Sequence, residues 1–556
     1  MRTVIIGGVA GGASAAARLR RLREQDEIII LERGDDISFA NCGLPYYIGG
    51  EIKDKRMLRL QTPQSFKARF QIDVRVRNEA VAIKPEEHIV TVLDRDRNVE
   101  YELSYDKLIL APGAEPIKPP MEGAELPQVF TLRSIPDAAR IKDYIETKKP
   151  KRAVVVGGGY IGVEMAENLA NAGLEVSIVE LADHLLAPLD ADMAADLHRY
   201  LRSKGIGLYL KNRVTKLQGS GLILEKGRLA ADLVILAVGV RPETTLAEAC
   251  GIRLNQRGSV IVNKQMQTNL PDIYAVGDAV EVADFITGQP SFVPLAGPAN
   301  KQGRIAADNI AGIPSEYKGT QGSSVLKLFD MTVAATGLNE KRGHAAGIAF
   351  DKTYICSASH ANYYPGATEM LVKILWDKQS LRLLGAQIVG YDGVDKRMDV
   401  LATAIRFGAK VTDLTQLELC YAPPYGSAKD PVNMAGFVAE NIVTGRVKQF
   451  FWHDVAHLPR DGSVTLLDVR TRTETARGMI DGFVNIPLDE LRDQLDRIPK
   501  DKPVYIHCHS GLRSYIACCL LEGRGYCCYN LAGGWRLYAS VMHEKAVAPY
   551  ICTECK

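Results

Sequence analysis

A strand that ends in glycines and feeds straight into a helix occurs twice in this chain, and that doublet limits the fold more than any other feature. RTVIIGGVAGG opens the chain, followed by an Ala/Arg-rich helical stretch from Ala13 to Arg23 and the strand EIIILE ending at Glu32. RAVVVGGGYIG returns at residue 152, followed by VEMAENLANAG and the strand EVSIVE ending at Glu180. Each is a βαβ unit. The glycine turn presents backbone N–H groups and a helix N-terminal dipole to a pyrophosphate, and the acid closing the second strand accepts from a ribose hydroxyl. Gly157, Gly158, Gly159, Tyr160, Ile161 and Gly162 match GxGxxG in full. The first copy, Gly7, Gly8, Val9, Ala10, Gly11 and Gly12, has Val9 where the middle glycine is usual. One glycine-rich turn is explained by close helix packing alone. Two copies, each with a correctly placed acid, point to two dinucleotides. Leu181 and Ala182 follow Glu180 with no arginine for a 2′-phosphate, so the second unit is expected to take NADH rather than NADPH.

The length of 556 residues fits several domains. A hydrophobic fraction of 46% with 24% charged residues excludes disorder and coiled coil. Sixty-eight basic against 66 acidic residues leave +2, too balanced for a nucleic-acid or anionic-membrane surface. No apolar run reaches the roughly 18 residues of a membrane span, and the chain begins with the strand-like Val4-Ile5-Ile6, so a cytoplasmic protein is expected. LILAPGAEP (108–116), with Ala111, Pro112 and Gly113, and LVILAVGVRPE (233–243), with Gly239, are apolar strands closing on a Gly turn in each half. From about Gln321 strands such as VLKLF and MLVKILW and the helix DVLATAIRFG set a different rhythm, and after GRVKQFFW a fourth α/β module brings TLLDVR, a helix over LDELRDQLDRI and the strand PVYIHC.

TNLPDIYAVGDA (268–279) delivers Gly277 and Asp278 at the end of an apolar strand. It resembles the second FAD fingerprint of the two-dinucleotide-domain disulfide reductases, whose aspartate holds the ribityl chain. Glutathione reductase relatives carry a CxxxxC pair near the flavin; here SFANCGLPYY has Cys42 and, five positions on, Tyr47. Cys42 is therefore expected to pair with a small thiol or a substrate sulfur, as a single-thiol relay beside a flavin. SFANCGLP with GGVAGG resembles the coenzyme A disulfide reductase family, a branch of the single-cysteine flavoproteins that also holds NADH oxidases and peroxidases. Those relatives typically carry a histidine in the first glycine loop, where this chain has Val9-Ala10. The resemblance implies FAD in a discontinuous domain (1–115 and 245–318) lined by the first fingerprint, Glu32, Arg33, Asn41, Cys42, Ala111, Pro112, Gly113, Gly277, Asp278 and Ala296. It implies NADH in 150–244, on the second fingerprint with Glu180 and Gly239, and a dimerisation domain over 320–445. Coenzyme A is implied as substrate or bound ligand, in a channel lined by Ser14, Arg18, Arg21, Ser38, Asn41, Asn300 in PLAGPANKQGR, and Lys429. Arg18 and Arg21, at i and i+3, share a helix face from which to grip phosphates. Tyr363 in NYYPGA and Tyr421 in YAPPYGSAKD match two tyrosines that the family places near the partner subunit's cysteine in a homodimer; Tyr364 and Tyr425 compete for the assignment.

In IHCHSGLRS a strand ends at Cys508 and the loop closes at Arg513 before a helix. Successive N–H groups there form an anion cradle that favours a thiolate or persulfide, with Arg513 as the cation. Four residues separate Cys from Arg, against five in the phosphatase loop. With LLDVR, DGFVNIPLDEL and NLAGGW, residues 453–545 resemble a rhodanese domain. Cys518, Cys519, Cys527 and Cys528 are expected to be packing residues. In the tail 546–556, Cys552 and Cys555 lack a second half for a zinc site, and no metal is expected. The fold expected is α/β: two Rossmann-like FAD/NAD(P)-binding domains, an α+β dimerisation domain and a C-terminal α/β rhodanese domain. The activity expected is NADH-dependent reduction of coenzyme A persulfide or polysulfide and of coenzyme A disulfide. A plain coenzyme A disulfide reductase with an independent rhodanese, or a flavin-based redox sensor, is the alternative.

Overall fold

The computed structural model describes residues 1–547. Residues 1–182 and 206–322 form one compact unit; residues 183–205 join the chain from Ser323 onward in a second.

The first unit holds two five-stranded parallel sheets. One runs Ile273–Ala275, Lys107–Leu110, Arg2–Ile6, Glu27–Glu32, Asp73–Val76, so the opening strand is central. The other runs Gly207–Tyr209, Glu175–Val179, Arg152–Val156, Leu233–Leu236, Val129–Phe130, with the second fingerprint's strand in the same central place. Central parallel strands are covered on both faces, which is why Val4-Ile5-Ile6 and Val154-Val155-Val156 are continuous apolar runs. The helices Ala10–Leu22 and Tyr160–Asn171 leave these strands at the glycine turns. The two turns have the same built-in tightness: a Cβ on Gly12 would fall 1.9 Å from the Gly7 carbonyl oxygen, and one on Gly162 2.0 Å from that of Gly157. A Cβ on Gly159 would meet nothing within 4 Å, which leaves the outer side of that turn open to a phosphate.

The second unit contains an antiparallel sheet in the order Ser324–Leu328, Met331–Gly337, Leu383–Gly390, Glu369–Asp377, Phe350–Ala358. It also contains a five-stranded parallel sheet in the order Gln449–Phe450, Cys528–Leu531, Val504–His507, Thr465–Asp468, Val484–Asn485. The α/β architecture expected from the sequence is what folds. One local expectation fails: LDELRDQLDRI forms 3₁₀ turns over Leu488–Arg497, broken at Gln494, instead of an α-helix. Pro487 stands just before the segment, and Leu491 is its only buried residue, too little apolar face to hold a longer helix. Cys518 and Cys528 are buried in the core of this module, as packing residues are, while Cys519 and Cys527 are exposed. The Cys552 and Cys555 pair lies outside the described residues. No helix among the described residues is long and apolar enough to cross a membrane.

Candidate active site

Both nucleotide turns are braced by their acids. Glu32 accepts from the Gly8 N–H at 3.0 Å and the Gly34 N–H at 2.8 Å; Glu180 accepts from Gly158 at 2.6 Å and Ala182 at 2.7 Å. These carboxylates therefore sit at the mouth of each turn, where a ribose would compete for them. Gly277 and Asp278 open a short 3₁₀ turn after the edge strand Ile273–Ala275, and the Gly277 N–H donates to Gln302 at 2.7 Å. Burial pushes the Asp278 carboxyl up against the lowering pull of Arg133. Arg133 donates to the Pro112 carbonyl at 3.0 Å, and with Arg33 it shares Glu115, at 2.9 and 2.5 Å. The APG turn of residues 111–113 is thus tied to a charge network that includes Arg33. Ala296 begins the helix Ala296–Ile310, and Gly239 lies just ahead of the short strand Val240–Pro242. The Gly157–Gly162 turn, open at Gly159 and with Glu180 at its mouth, and the Gly7–Gly12 turn with Glu32 at its mouth each suit a nucleotide phosphate.

Asn41 and Cys42 form a 3₁₀ turn that runs into the helix Leu44–Gly49. Cys42 is exposed on one side, yet desolvation on the other, reinforced by the carboxylates of Glu164 and Asp278, pushes its thiol up. Glu164 lies two residues past the second fingerprint; burial, then Glu167, pushes its carboxyl to about 7. Tyr46, four residues after Cys42, is pushed up to about 12 by burial and then by Glu164.

A cavity of about 380 Å³ opens between the first helix and the helix Ala296–Ile310. Of the residues expected to hold coenzyme A it gathers Ser14, Arg18, Arg21, Ser38 and Asn300, with Ser14 donating to Asn300 at 2.8 Å. Asn41 is not in its wall, and Lys429 belongs to the second unit. Arg18 is held by the buried Asp308 at 2.6 Å. Gln61, Phe66, Phe70 and Arg304 complete the wall. The sequence offered no local motif for these four; they come together only because two helices and a loop converge.

In the second unit Tyr363 and Tyr421 share a hydroxyl–hydroxyl hydrogen bond of 2.8 Å and are 75% and 48% exposed, as two phenols presented to something outside the subunit would be. That bond pushes the Tyr363 phenol up. Tyr364 and Tyr425 are exposed nearby in sequence without joining it.

The strand Val504–His507 delivers Cys508, and the helix Leu512–Glu522 starts at the far side of the loop. The sulfur is fully buried and accepts from the Gly511 N–H at 3.1 Å and the Ser514 hydroxyl at 3.2 Å. Arg513 makes two hydrogen bonds to Glu474, at 2.7 and 2.6 Å, which pull the Glu474 carboxyl down to about 2. The loop's cation is thereby fixed, and its charge is shared with a carboxylate that stands 34 residues before the cysteine. Glu474 and Ser514 were not singled out by sequence reasoning.

A protein with two dinucleotide turns on parallel sheets, one thiol beside them and a Cys–Arg loop on a further α/β module is a nucleotide-dependent sulfur oxidoreductase in architecture. The chain belongs to the pyridine nucleotide-disulphide oxidoreductases: that family matches residues 1–303, its dimerisation domain residues 323–431, and a rhodanese-like domain residues 452–540. The family implies FAD and NAD(P)H as cofactors. A coenzyme A disulfide reductase of Staphylococcus aureus (strain bovine RF122 / ET3-1) is 37% identical over 441 residues, 79% of this chain and 100% of that one. The reduced CoADR-RHD of Bacillus anthracis is 50% identical with a TM-score of 0.96, covering 98% of each chain. An NAD-dependent persulfide reductase from A. fulgidus is 36% identical with a TM-score of 0.91, covering 97% of this chain and 100% of that one.

Proposed function

We propose that this protein is an NADH-dependent flavoprotein reductase of coenzyme A persulfide or polysulfide and of coenzyme A disulfide, working as a homodimer. Cys42 would be the redox thiol and Cys508 the carrier of sulfane sulfur. The observation that carries the reading is the presence of two thiols in two different settings. Cys42 is open on one side, in the unit that also holds the cavity with three arginines and two phenylalanines; Cys508 is buried in a cradle of donors. Guanidinium groups suit the phosphates of coenzyme A and the phenyl rings its adenine. The similarity to proteins named for coenzyme A disulfide and persulfide reduction supports the same assignment.

FAD, when bound, passes the electron pair of NADH on to sulfur. The chain's residues do the rest. Arg18, Arg21 and Arg304 fix the nucleotide end of the substrate so that its sulfur reaches Cys42. The Cys42 thiolate displaces the coenzyme A thiolate from the persulfide and becomes Cys42–S–SH; two electrons then divide that S–S bond into the Cys42 thiolate and hydrosulfide. Because desolvation and two carboxylates oppose the thiolate, a donor must stabilise it, and the partner subunit's tyrosine pair would be that donor. With Glu180 at the ribose and no arginine in Leu181-Ala182, NADH is the reductant.

The test is anaerobic NADH oxidation by the purified flavoprotein with coenzyme A persulfide, coenzyme A disulfide and polysulfide, with Cys42→Ser and Cys508→Ser beside the wild type. Persulfide preferred, with sulfide released and Cys42→Ser inactive, is the expected result. Activity without Cys42 would overturn it; disulfide preference together with unchanged turnover in Cys508→Ser would favour a plain disulfide reductase.

A further inference from the structure

The helix that follows the NLAGG turn, Gly534–Ala546, starts on the sulfur loop. The Trp535 N–H donates to the Cys508 carbonyl at 2.8 Å and the Arg536 N–H to that of His509 at 2.9 Å. Gly534 has φ +58°, and a Cβ there would fall 2.6 Å from the His509 oxygen. The helix end and the loop are therefore in backbone contact, and the placement of one is the placement of the other.

The helix packs on its own module through Trp535, which lies under Arg470 at 4.4 Å and with Tyr538 covers the module's apolar core, but its other face is held from outside that module. Arg536, Ser540 and Glu544 stand at i, i+4 and i+8, a single stripe, and all three are bonded to the helix Ala191–Ser203. Asp196, 2% exposed, accepts from Arg536 at 2.5 Å and from the Ser540 hydroxyl. Glu544 accepts from Arg202 and, at 3.1 Å, faces His198 Nδ1. The Leu185 N–H donates to His198 Nε2 at 3.1 Å, so the ring carries its proton on Nδ1, and burial keeps it neutral. Arg536 also donates to Glu369 of the antiparallel sheet at 2.5 Å. A buried carboxylate that holds both a guanidinium and a hydroxyl one turn apart on the same helix fixes that helix along its axis and about it.

We propose that Asp196 is a positioning residue for the sulfur chemistry of Cys508, acting through the helix Gly534–Ala546 from a segment that lies in sequence between the nucleotide-binding strands Glu175–Val179 and Gly207–Tyr209. The cradle of the rhodanese-like module is then held partly from outside the module, by Asp196. The proposal rests on the reading of Cys508 as a sulfane-sulfur carrier.

The experiment uses the full-length flavoprotein with thiosulfate as donor and cyanide as acceptor. The Cys508 thiolate takes the outer sulfur of thiosulfate and releases sulfite; cyanide removes that sulfur as thiocyanate and restores the thiolate. Thiocyanate turnover and the lifetime of the sulfur-loaded Cys508 peptide by mass spectrometry are read for wild type, Asp196→Asn, Ser540→Ala and Asp196→Glu. Asp196→Asn is expected to lower kcat and shorten the lifetime of the loaded form about tenfold, the size of loss that a small misplacement of a reacting group produces. Ser540→Ala, which removes one of the two bonds, should lose less, and Asp196→Glu should regain part. NADH oxidation with coenzyme A disulfide should stay within about twofold of wild type. Wild-type turnover and lifetime in Asp196→Asn, whatever its Tm, would overturn the proposal; if that variant does not fold, wild-type values in both Ser540→Ala and Arg536→Lys overturn it. A wild type that makes no thiocyanate overturns the reading of Cys508 on which the proposal stands.

Discussion

Glu164 holds a proton that an exposed glutamate would have lost. Its carboxyl is raised from 4.5 to about 7, by burial first and Glu167 second. The folded state therefore binds this proton more tightly than the unfolded chain. The penalty for ionising it is absent below pH 4.5, grows as the pH rises and is complete above about 7, at most about 3 kcal/mol. We expect Glu164→Gln to raise Tm over wild type at pH 8 and to leave it unchanged near pH 4.5, measured by calorimetry on the flavoprotein. Equal Tm values at pH 8 would sink that account. Glu474 has the opposite sign: the Arg513 hydrogen bonds hold it at about 2, so its contribution is present above pH 4.5 and lost as the pH falls toward 2. Glu474→Gln keeps the shape but releases Arg513, and we expect thiosulfate:cyanide turnover to fall at least about tenfold at pH 7 with NADH oxidation unaffected. Of these residues, Cys508 and Arg513 were legible because they end one short loop. Glu474 and Glu164 were not, since one is defined by a partner far along the chain and the other by what buries it.

At the scale of elements the two fingerprints are nearly superimposable in their constraints, and that symmetry gives a paired test. A methyl group on Gly12 or on Gly162 would lie about 2 Å from a carbonyl oxygen in its own turn, so the turn must open, at a cost of a few kcal/mol to the nucleotide held there. Gly162→Ala should abolish saturable NADH binding, followed by quenching of flavin fluorescence, while FAD stays bound. Gly12→Ala should instead yield protein with little flavin. The same loss in both variants would mean that the two turns do not serve separate nucleotides. The glycines, the closing acids and the Cys508 loop were readable because each is a backbone requirement expressed within a few adjacent residues. The 3₁₀ turns at Leu488–Arg497 were not: the charge pattern of LDELRDQLDRI looks helical, and only the small apolar face available to the fold decides otherwise.

For the whole molecule, chain order was a poor guide at one place. Residues 183–205 follow Glu180 and lie in sequence between strands of the second parallel sheet, yet they fold with the antiparallel sheet and the module of Cys508. They are joined there by buried apolar residues such as Leu189, Met193 and Leu197 and by an ion cluster in which the buried Lys373 meets Asp190, Asp192 and Glu340 at 2.7, 3.0 and 2.5 Å, and no periodicity announces such a partnership. The tyrosine pair poses the remaining question at this scale, because Tyr363 and Tyr421 are solvent-facing in the single chain and gain a catalytic meaning only if a second chain brings its Cys42 to them. Subunit mixing decides this. A Cys42→Ser chain and a Tyr363→Phe/Tyr421→Phe chain, each inactive or nearly so alone, are unfolded together and refolded with FAD in equal amounts. If the tyrosines serve the partner's thiol, every mixed dimer holds one intact site; random pairing makes half the dimers mixed, so coenzyme A disulfide reduction should return to about a quarter of wild type. If they serve their own chain, no mixed dimer contains an intact site and activity stays at the sum of the parents. The same preparation read for thiocyanate formation should show full sulfurtransferase activity in both parents and in the mixture, because Cys508, Arg513 and Glu474 all come from one chain.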